Sequence, residues 1–192
     1  MMNIRLKTEI KRKLIHILGL VFVPLLYYSQ EVALILCGGL IPIYWIEEYL
    51  FRQEFKLKGM IPFFQQCKRP YEKDVFVFDP IYMVVGVFFA MLFYPVPAAA
   101  CAIFQVSLAD AGAAIMGVAC GRTKIPWNPR KSWQGSGAFF IIAFLVSLLF
   151  FDWNNSLLLA LVGTLLEQTP FKGIDNLVVP LGVGGVGMLL MG

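Results

Sequence analysis

A loop rich in basic and small residues could bind phosphate. It runs from Gly121 to Ser136 and reads Gly-Arg-Thr-Lys-Ile-Pro-Trp-Asn-Pro-Arg-Lys-Ser-Trp-Gln-Gly-Ser. Lys and Arg neutralise phosphate oxygens, and arginine can do so through two parallel hydrogen bonds. An apolar segment follows directly, so a helix N-terminus there would offer main-chain N–H donors to an anion. The alternative is a basic loop that only fixes membrane topology.

Three carboxylates could act together with this loop. Asp110 lies inside an apolar stretch, where an ionisable side chain is costly and indicates function. It precedes Gly121 by 11 residues, or about 16 Å along a helix. Glu167 ends one apolar stretch and Asp175 begins the next. Carboxylates beside phosphate-binding cations are what a Mg²⁺–nucleotide site requires, although Glu167 and Asp175 could also be solvated helix ends.

Near the N-terminus, His16 follows Arg12 and Lys13 by one helical turn. It is the only histidine in the chain, which excludes a histidine-rich metal site. His16 could reach a nucleotide or its acceptor, or it could simply pack between helices. The segment Gly182–Gly187 matches G-x-G-x-x-G, but too few residues follow it to form the strand–helix unit that gives this pattern its meaning.

Composition identifies the elements that must position these residues. The 192 residues are 59% hydrophobic and 15% charged, whereas a soluble domain is about 25% charged. This excludes a disordered chain, a soluble nucleotide-binding domain and a disulfide-rich secreted module. We predict an all-α polytopic membrane protein, a single domain over residues 1–192. Its seven apolar spans lie near Leu14–Tyr28, Val32–Phe51, Phe76–Tyr94, Pro97–Cys120, Gly137–Phe151, Ser156–Leu166 and Leu177–Met191.

Basic residues predict the orientation of these spans. All sixteen Lys and Arg fall before the first span or in the loops after the second, fourth and sixth. The positive-inside rule then places the N-terminus and these loops in the cytoplasm and the C-terminus outside. The longest loop, Phe55–Asp74, is either an interfacial segment or an ordinary connection. We expect membrane lipid as a partner and no nucleic acid. The four cysteines have no metal-site spacing and are expected to be reduced thiols.

Several segments resemble the CTP-dependent polyprenol kinase family, which includes phytol, dolichol and CTP-dependent diacylglycerol kinases. They are Asp110-Ala-Gly-Ala-Ala-Ile-Met-Gly117, Gly121-Arg-Thr-Lys-Ile-Pro126 and Asn128-Pro-Arg-Lys-Ser-Trp-Gln-Gly-Ser136. Arg12-Lys-Leu-Ile-His16 and the pair Glu167-Gln-Thr-Pro170 and Asp175-Asn-Leu-Val-Val-Pro180 are also similar. The amino-acid sequence of the Asn128–Ser136 segment is most similar to that of the phytol kinases. The family often has a further acidic residue beside Asp175-Asn176, where this chain has Gly173-Ile174.

The resemblance implies transfer of the γ-phosphoryl group of CTP to a membrane isoprenoid alcohol such as phytol, farnesol, geranylgeraniol or a polyprenol. It implies catalysis by Asp110 and Lys131, and Mg²⁺ or another divalent cation held by Asp110, Glu167 and Asp175. Arg12, Lys13, His16 and Asn176 would be accessory. The residues that would bind CTP are Gly121, Arg122, Lys124, Asn128, Arg130, Lys131, Ser132, Gly135 and Ser136.

Two other functions stay open. CTP:phosphatidate cytidylyltransferases carry a segment similar to Asp110–Gly135, but their basic and histidine-containing C-terminal stretches are absent from this sequence. A non-catalytic lipid-binding or transport protein is the third possibility, and it would have no need for Asp110 together with the basic loop.

Overall fold

The computed structural model describes residues 4–52, 68 and 75–192, and 79% of these residues are helical. The loop Phe55–Asp74, for which an interfacial segment and an ordinary connection were both open, lies outside the described residues apart from Lys68, and so does Cys67. The helices, in chain order, are α1 (Ile4–Leu18), α2 (Phe22–Tyr28), α3 (Gln30–Arg52), α4 (Asp79–Phe93), α5 (Val96–Phe104), α6 (Asp110–Cys120), α7 (Trp133–Ser147), α8 (Trp153–Glu167) and α9 (Asp175–Leu189).

Each predicted apolar span corresponds to helical structure. A 3-10 turn over Gly19–Val21 joins α1 to α2, and a π-helical turn over Gln105–Ala109 joins α5 to α6, so each pair forms one nearly continuous rod. Two stretches, Gln30–Leu50 and Val96–Cys120, are long and apolar enough to cross a membrane. The 15-residue helices α4, α7 and α9 are apolar but reach only about 22 Å, against about 30 Å of hydrocarbon.

The basic loop contains a short β-hairpin that the sequence analysis did not predict. Strand β1 (Lys124–Ile125) pairs antiparallel with β2 (Asn128–Ser132). Ile125 is fully buried, and Asn128 and Ser132 are buried at the two ends of β2. A two-residue strand is too short for an alternating pattern to be recognised, which is why this element was missed.

Helix α5 lies in the interior of the bundle. Every residue from Ala98 to Ile103 is fully buried, and small side chains of this kind let neighbouring helices approach closely. Helix α9 packs against α4, α5 and α8, while α6 packs against α1 and α7. Large apolar side chains cover the outside of the bundle, among them Ile35, Ile141 and Leu165. An outer surface of this kind is suited to lipid rather than to water.

Small residues bring the hairpin against α6. The Ser132 hydroxyl lies where side chains at Gly117, Gly121 or Gly135 would project. A Cβ atom at Gly135 would also stand 2.9 Å from the Ala113 carbonyl oxygen. This close approach places β2 and the start of α7 directly beside α6, and hence Lys131 beside Asp110.

Candidate functional site

Lys131 lies at the centre of the site, between carboxylates from three helices. Its Nζ atom is 2.6 Å from Glu167 Oε1, 2.6 Å from Asp175 Oδ2 and 4.0 Å from Asp110 Oδ1. Ser136 donates a hydrogen bond of 2.9 Å to the other oxygen of Glu167. Residues that the sequence places 65 positions apart, from Asp110 to Asp175, thus meet at one cation.

Helix α1 supplies the other side of Asp110. Lys13 donates a hydrogen bond to Asp110 Oδ2, and His16 Nδ1 lies 3.4 Å from the same oxygen. All three side chains are buried. Asp110 follows the π-helical turn directly, and such turns frequently occur at functional sites because they change which face of a helix a side chain occupies.

A second ion-pair group extends the site along α1 toward α4. Arg12 contacts Glu9 Oε1 and Asp79 Oδ2, each at 3.0 Å. Asn176 donates a hydrogen bond of 3.4 Å to the main-chain oxygen of Asp79. The sequence analysis missed Glu9 and Asp79. Asp79 lies within the predicted span Phe76–Tyr94, and a carboxylate inside an apolar span is the signal that could have identified it.

Gly173 explains how Asp79 fits beside the start of α9. Its φ of 76° is favourable only for glycine, and a Cβ atom there would lie 2.4 Å from Asp79 Oδ1. The sequence departs from the family pattern at Gly173-Ile174, where a further acidic residue was expected. In the structure a carboxylate from another helix, Asp79, lies against this position.

The cluster around Lys131 carries a surplus of negative charge. Among the described residues, three carboxylates (Asp110, Glu167 and Asp175) face two cations (Lys13 and Lys131), which leaves one negative charge when His16 is neutral. Glu167 is only 2% exposed and Asp110 5%. Charges held this far from water are costly unless compensated, so the site favours an additional positive charge.

Lys131 stays positively charged in this setting. Burial by itself would lower the pKa of Lys131, but the negative charges of Asp175, Glu167 and Asp110 outweigh that effect and raise the pKa above its ordinary value. The side chain is 23% exposed, so this part of the site is open to solvent. A fixed cation that a soluble anion can reach is suited to phosphate binding.

The remaining loop residues have structural partners or face solvent. Ser132 caps α7 by accepting a hydrogen bond of 3.1 Å from the Gly135 N–H. The predicted helix N-terminus is therefore present, four residues earlier than the predicted span, with one of its donors already bonded. Asn128 donates to the Thr169 carbonyl at 2.9 Å, and Arg130 donates to the Pro170 carbonyl. Arg122 and Lys124 are exposed beside the hairpin.

A metal site made of protein ligands alone does not occur in the described part of the chain. No group of three or more His, Cys, Asp and Glu side chains there is close enough to hold an ion. The three carboxylates predicted as ligands converge on the Lys131 ammonium group instead. Mg²⁺ bound through nucleotide phosphates needs only one or two carboxylates, and the cluster around Lys131 holds three. The residues therefore fit a shared metal–nucleotide site.

Comparison with known proteins gives one group of relatives. They include "Phytol kinase 1, chloroplastic" of Arabidopsis thaliana, 32% identical over 53% of this chain and 40% of that protein. "Probable phytol kinase, chloroplastic" of Triticum aestivum is 33% identical over 59% of this chain and 44% of that protein. "Probable phytol kinase 2, chloroplastic" of Glycine max is 33% identical over 58% of this chain and 44% of that protein. The matches thus span less than half the length of these relatives.

Two further comparisons gave no match. No protein-family model matches the chain, and no solved structure matches it. The curated relatives are named as phytol kinases or probable phytol kinases. The predicted resemblance to this group is therefore confirmed: the chain is similar to phytol kinases over 53–59% of its length.

Proposed function

We propose that this protein is a membrane kinase that transfers the γ-phosphoryl group of CTP to an isoprenoid alcohol. The observation that carries the proposal is the convergence of Asp110, Glu167 and Asp175 on Lys131, at the end of a cation-bearing hairpin. Phosphoryl transfer depends mainly on alignment and on neutralising the charge of the transferred group. A buried set of opposite charges that is open to solvent at one cation supports both requirements.

The proposal includes seven membrane spans with the site at the cytoplasmic face. The two membrane-capable helices and the apolar outer surface support membrane association. The distribution of basic residues supports a cytoplasmic N-terminus and an external C-terminus.

Cysteine labelling tests this orientation. Cys120 is exposed at the end of α6, while Cys37 and Cys101 are buried. In a variant with Cys67→Ser, a membrane-impermeant maleimide should label Cys120 only after the cells are opened. Labelling of intact cells would contradict the orientation.

The CTP phosphates would lie between the hairpin and the carboxylates. Lys131 would contact the transferred phosphoryl group, and Arg130 and the N-terminal turn of α7 would contact the remaining phosphates. Mg²⁺, held by Asp110 with Glu167 or Asp175, would supply charge neutralisation at the phosphates. The choice of CTP over other nucleotides comes from the family resemblance.

The chemical step forms one bond and breaks one. The alcohol oxygen bonds to the γ-phosphorus, the bond from this phosphorus to the β-phosphate oxygen breaks, and CDP leaves. The hydroxyl proton passes to Asp110, which lies on the α1 side of the site. Lys13 and Lys131 hold that carboxylate in place through its two different oxygens, Oδ2 and Oδ1.

A double-label assay tests the function. The purified protein in lipid nanodiscs is given Mg²⁺, an isoprenoid alcohol and CTP that carries ³²P at either the γ or the α position. A kinase moves only the γ label to the lipid and releases CDP. Transfer of the α label with release of pyrophosphate would replace this proposal with a cytidylyltransferase. Transfer of neither label would leave a lipid-binding protein. Asp110→Asn, prepared identically, controls for a contaminating kinase.

A further inference from the structure

A large apolar cavity opens beside the ion-pair groups. It has a volume of about 810 Å³ and lies between α1–α2, α3 and α4. Lining side chains such as Leu18, Ile35 and Ile43 are themselves more than half exposed, so the cavity is open along one side of the bundle. A molecule already in the lipid could enter it sideways without crossing water.

The cavity is polar at one end only. Arg12, His16, Tyr44, Lys68 and Asp79 line the end nearest the ion pairs, and apolar residues of α2, α3 and α4 line the rest. An amphiphile with one polar head and a long apolar tail has the same distribution of polarity. Ligand sites generally combine an apolar lining with a few polar groups that fix orientation.

All but one of these polar groups already bond to the protein. Arg12 pairs with Asp79, the Tyr44 hydroxyl donates to the Val77 carbonyl at 2.6 Å, and Lys68 pairs with Glu48 at 2.8 Å. The exception is His16. Within the part of the chain that the structure describes, its Nδ1 atom has no hydrogen-bond partner, although the side chain is only 6% exposed.

His16 Nδ1 offers a contact for a hydroxyl group. Asp110 Oδ2 lies 3.4 Å from Nδ1 without forming a hydrogen bond to it. A neutral imidazole has one donor and one acceptor nitrogen, so Nδ1 accepts a hydrogen bond in the tautomer that carries its proton on Nε2. A hydroxyl group at the polar end of the cavity would give Nδ1 a partner.

We propose that this cavity is the acceptor site, with the isoprenoid tail between α1–α2, α3 and α4 and the alcohol hydroxyl donating to His16 Nδ1. The assignment rests on the proposed function for the identity of the ligand. Asp110 Oδ2 lies 3.4 Å from His16 Nδ1, so the single hydroxyl proton turns from His16 to Asp110 and passes to that carboxylate as the oxygen bonds to phosphorus. The nucleotide would approach from the other side, over Lys131.

The cavity volume sets the length of tail that it can enclose. At about 30 Å³ per non-hydrogen atom, the volume that liquid water gives each molecule, it holds about 27 such atoms, or about five isoprene units. An alcohol of four units, such as phytol or geranylgeraniol, fits entirely. A much longer polyprenol would have to extend through the open side into the lipid.

Gly39 offers a way to shorten the cavity without disturbing the packing. It lines the cavity, and a Cβ atom built on it meets nothing within 4 Å. Gly39→Phe would therefore project into the space that the tail needs. We expect KM for geranylgeraniol to rise roughly 10–100-fold, the discrimination that an apolar pocket achieves over a few methylene groups. KM for geraniol, which has half as many units, should change little. Ile141→Phe, at a 59% exposed position on α7, is the matched control.

A binding experiment separates this inference from the proposed function. Nanodisc-embedded protein, without nucleotide, is irradiated with a geranylgeraniol analogue that bears a diazirine on its tail, and the modified peptides are identified by mass spectrometry. We expect saturable labelling on α2 and α3 that excess geranylgeraniol suppresses and that Gly39→Phe reduces. Saturable labelling elsewhere would overturn the cavity assignment while leaving the kinase proposal standing. Absence of saturable labelling from a protein that still phosphorylates the alcohol would also overturn it. Absence of both labelling and phosphorylation would remove the proposed function itself.

His16 variants test the hydroxyl contact. Asparagine places an amide oxygen near the position of Nδ1, whereas phenylalanine keeps the ring without an acceptor. We expect His16→Phe to lower kcat/KM for the alcohol about 10-fold, as for one lost hydrogen bond. His16→Asn should recover part of the loss, and KM for CTP should stay unchanged in both. Equal activity of the phenylalanine and wild-type proteins would show that His16 does not contact the hydroxyl.

Discussion

Replacing Lys131 with methionine separates its contribution to the site from its contribution to the fold. Methionine has a similar length but no charge, so Glu167 and Asp175 lose the ammonium group that lies 2.6 Å from each of them. Glu167 is 2% exposed and cannot recover the lost interaction from water. Removing one partner of a buried ion pair typically costs about 3–5 kcal/mol, and we expect that loss in the free energy of unfolding.

The same substitution should lower turnover by more than the stability loss explains. A charge aligned with the transferred group contributes about 2.7–4 kcal/mol to the rate, so kcat should fall roughly 100- to 1,000-fold at saturating CTP. The measurement is initial-rate kinetics in nanodiscs, with thermal unfolding recorded on the same samples. Lys11→Met is the matched control, because Lys11 is exposed on α1 and has no place in the cluster.

A second variant decides between the two contributions. In Lys131→Met with Glu167→Gln, the uncompensated buried charge is removed, so stability should largely return. Activity should not return, because the cation is still absent. Recovery of both together would refute the reasoning, since it would mean that Lys131 serves only to neutralise Glu167. Unchanged activity of Lys131→Met alone would mean that the basic loop only fixes membrane topology.

Three further outcomes follow from the same geometry. Asp110→Asn keeps the size of the side chain but removes the charge that faces Lys13 and Lys131, so kcat should fall at least ~100-fold. Near-normal turnover by a folded variant would exclude Asp110 from the mechanism. Gly173→Ala should lower the free energy of unfolding by at least ~1 kcal/mol, because φ at this position is positive and a Cβ atom would overlap the Asp79 carboxylate. Thermal unfolding measures the effect, and an unchanged melting temperature would refute this account. The raised pKa of Lys131 means that its stabilising charge is fully present below the ordinary lysine pKa of about 10.4 and is lost only as pH rises through the higher folded-state value. Activity should therefore show no loss from this residue between pH 7 and 10, and a decline there that Lys131→Arg abolishes would contradict the assigned pKa direction.

The sequence was sufficient to predict that Asp110, Lys131, Glu167 and Asp175 meet. Lys131, Glu167 and Asp175 lie at or near the ends of predicted apolar spans and Asp110 lies inside one, and the distribution of basic residues predicted these groups on one side of the membrane. Once the spans were counted, proximity followed from topology, without knowledge of how the helices pack. The residues on the basic loop were predicted on the same grounds, although the hairpin that holds them was not.

Contacts that depend on helix packing could not be predicted in this way. The contact of Lys13 and His16 with Asp110 requires α1 to lie against α6, and nothing in either segment specifies that neighbour. Glu9 and Asp79 look like ordinary polar residues at helix ends until Arg12 is seen between them. The number of metal ligands could not be predicted either. The spacing of the carboxylates along the sequence does not show that the Lys131 ammonium group lies between them.

The position of Lys131 has a consequence for biosynthesis. Its partners Glu167 and Asp175 belong to α8 and α9. A nascent chain that has emerged only as far as the hairpin therefore has Asp110 near the Lys131 ammonium group but lacks the other two carboxylates. The charge distribution is complete only after the final helix has entered the bundle. Premature termination before Asp175 therefore removes a partner of Lys131 and leaves every upstream segment of the site unchanged in sequence. Co-expression of two fragments divided in the turn between α7 and α8 should restore the ion pairs, because no covalent link across that turn takes part in them.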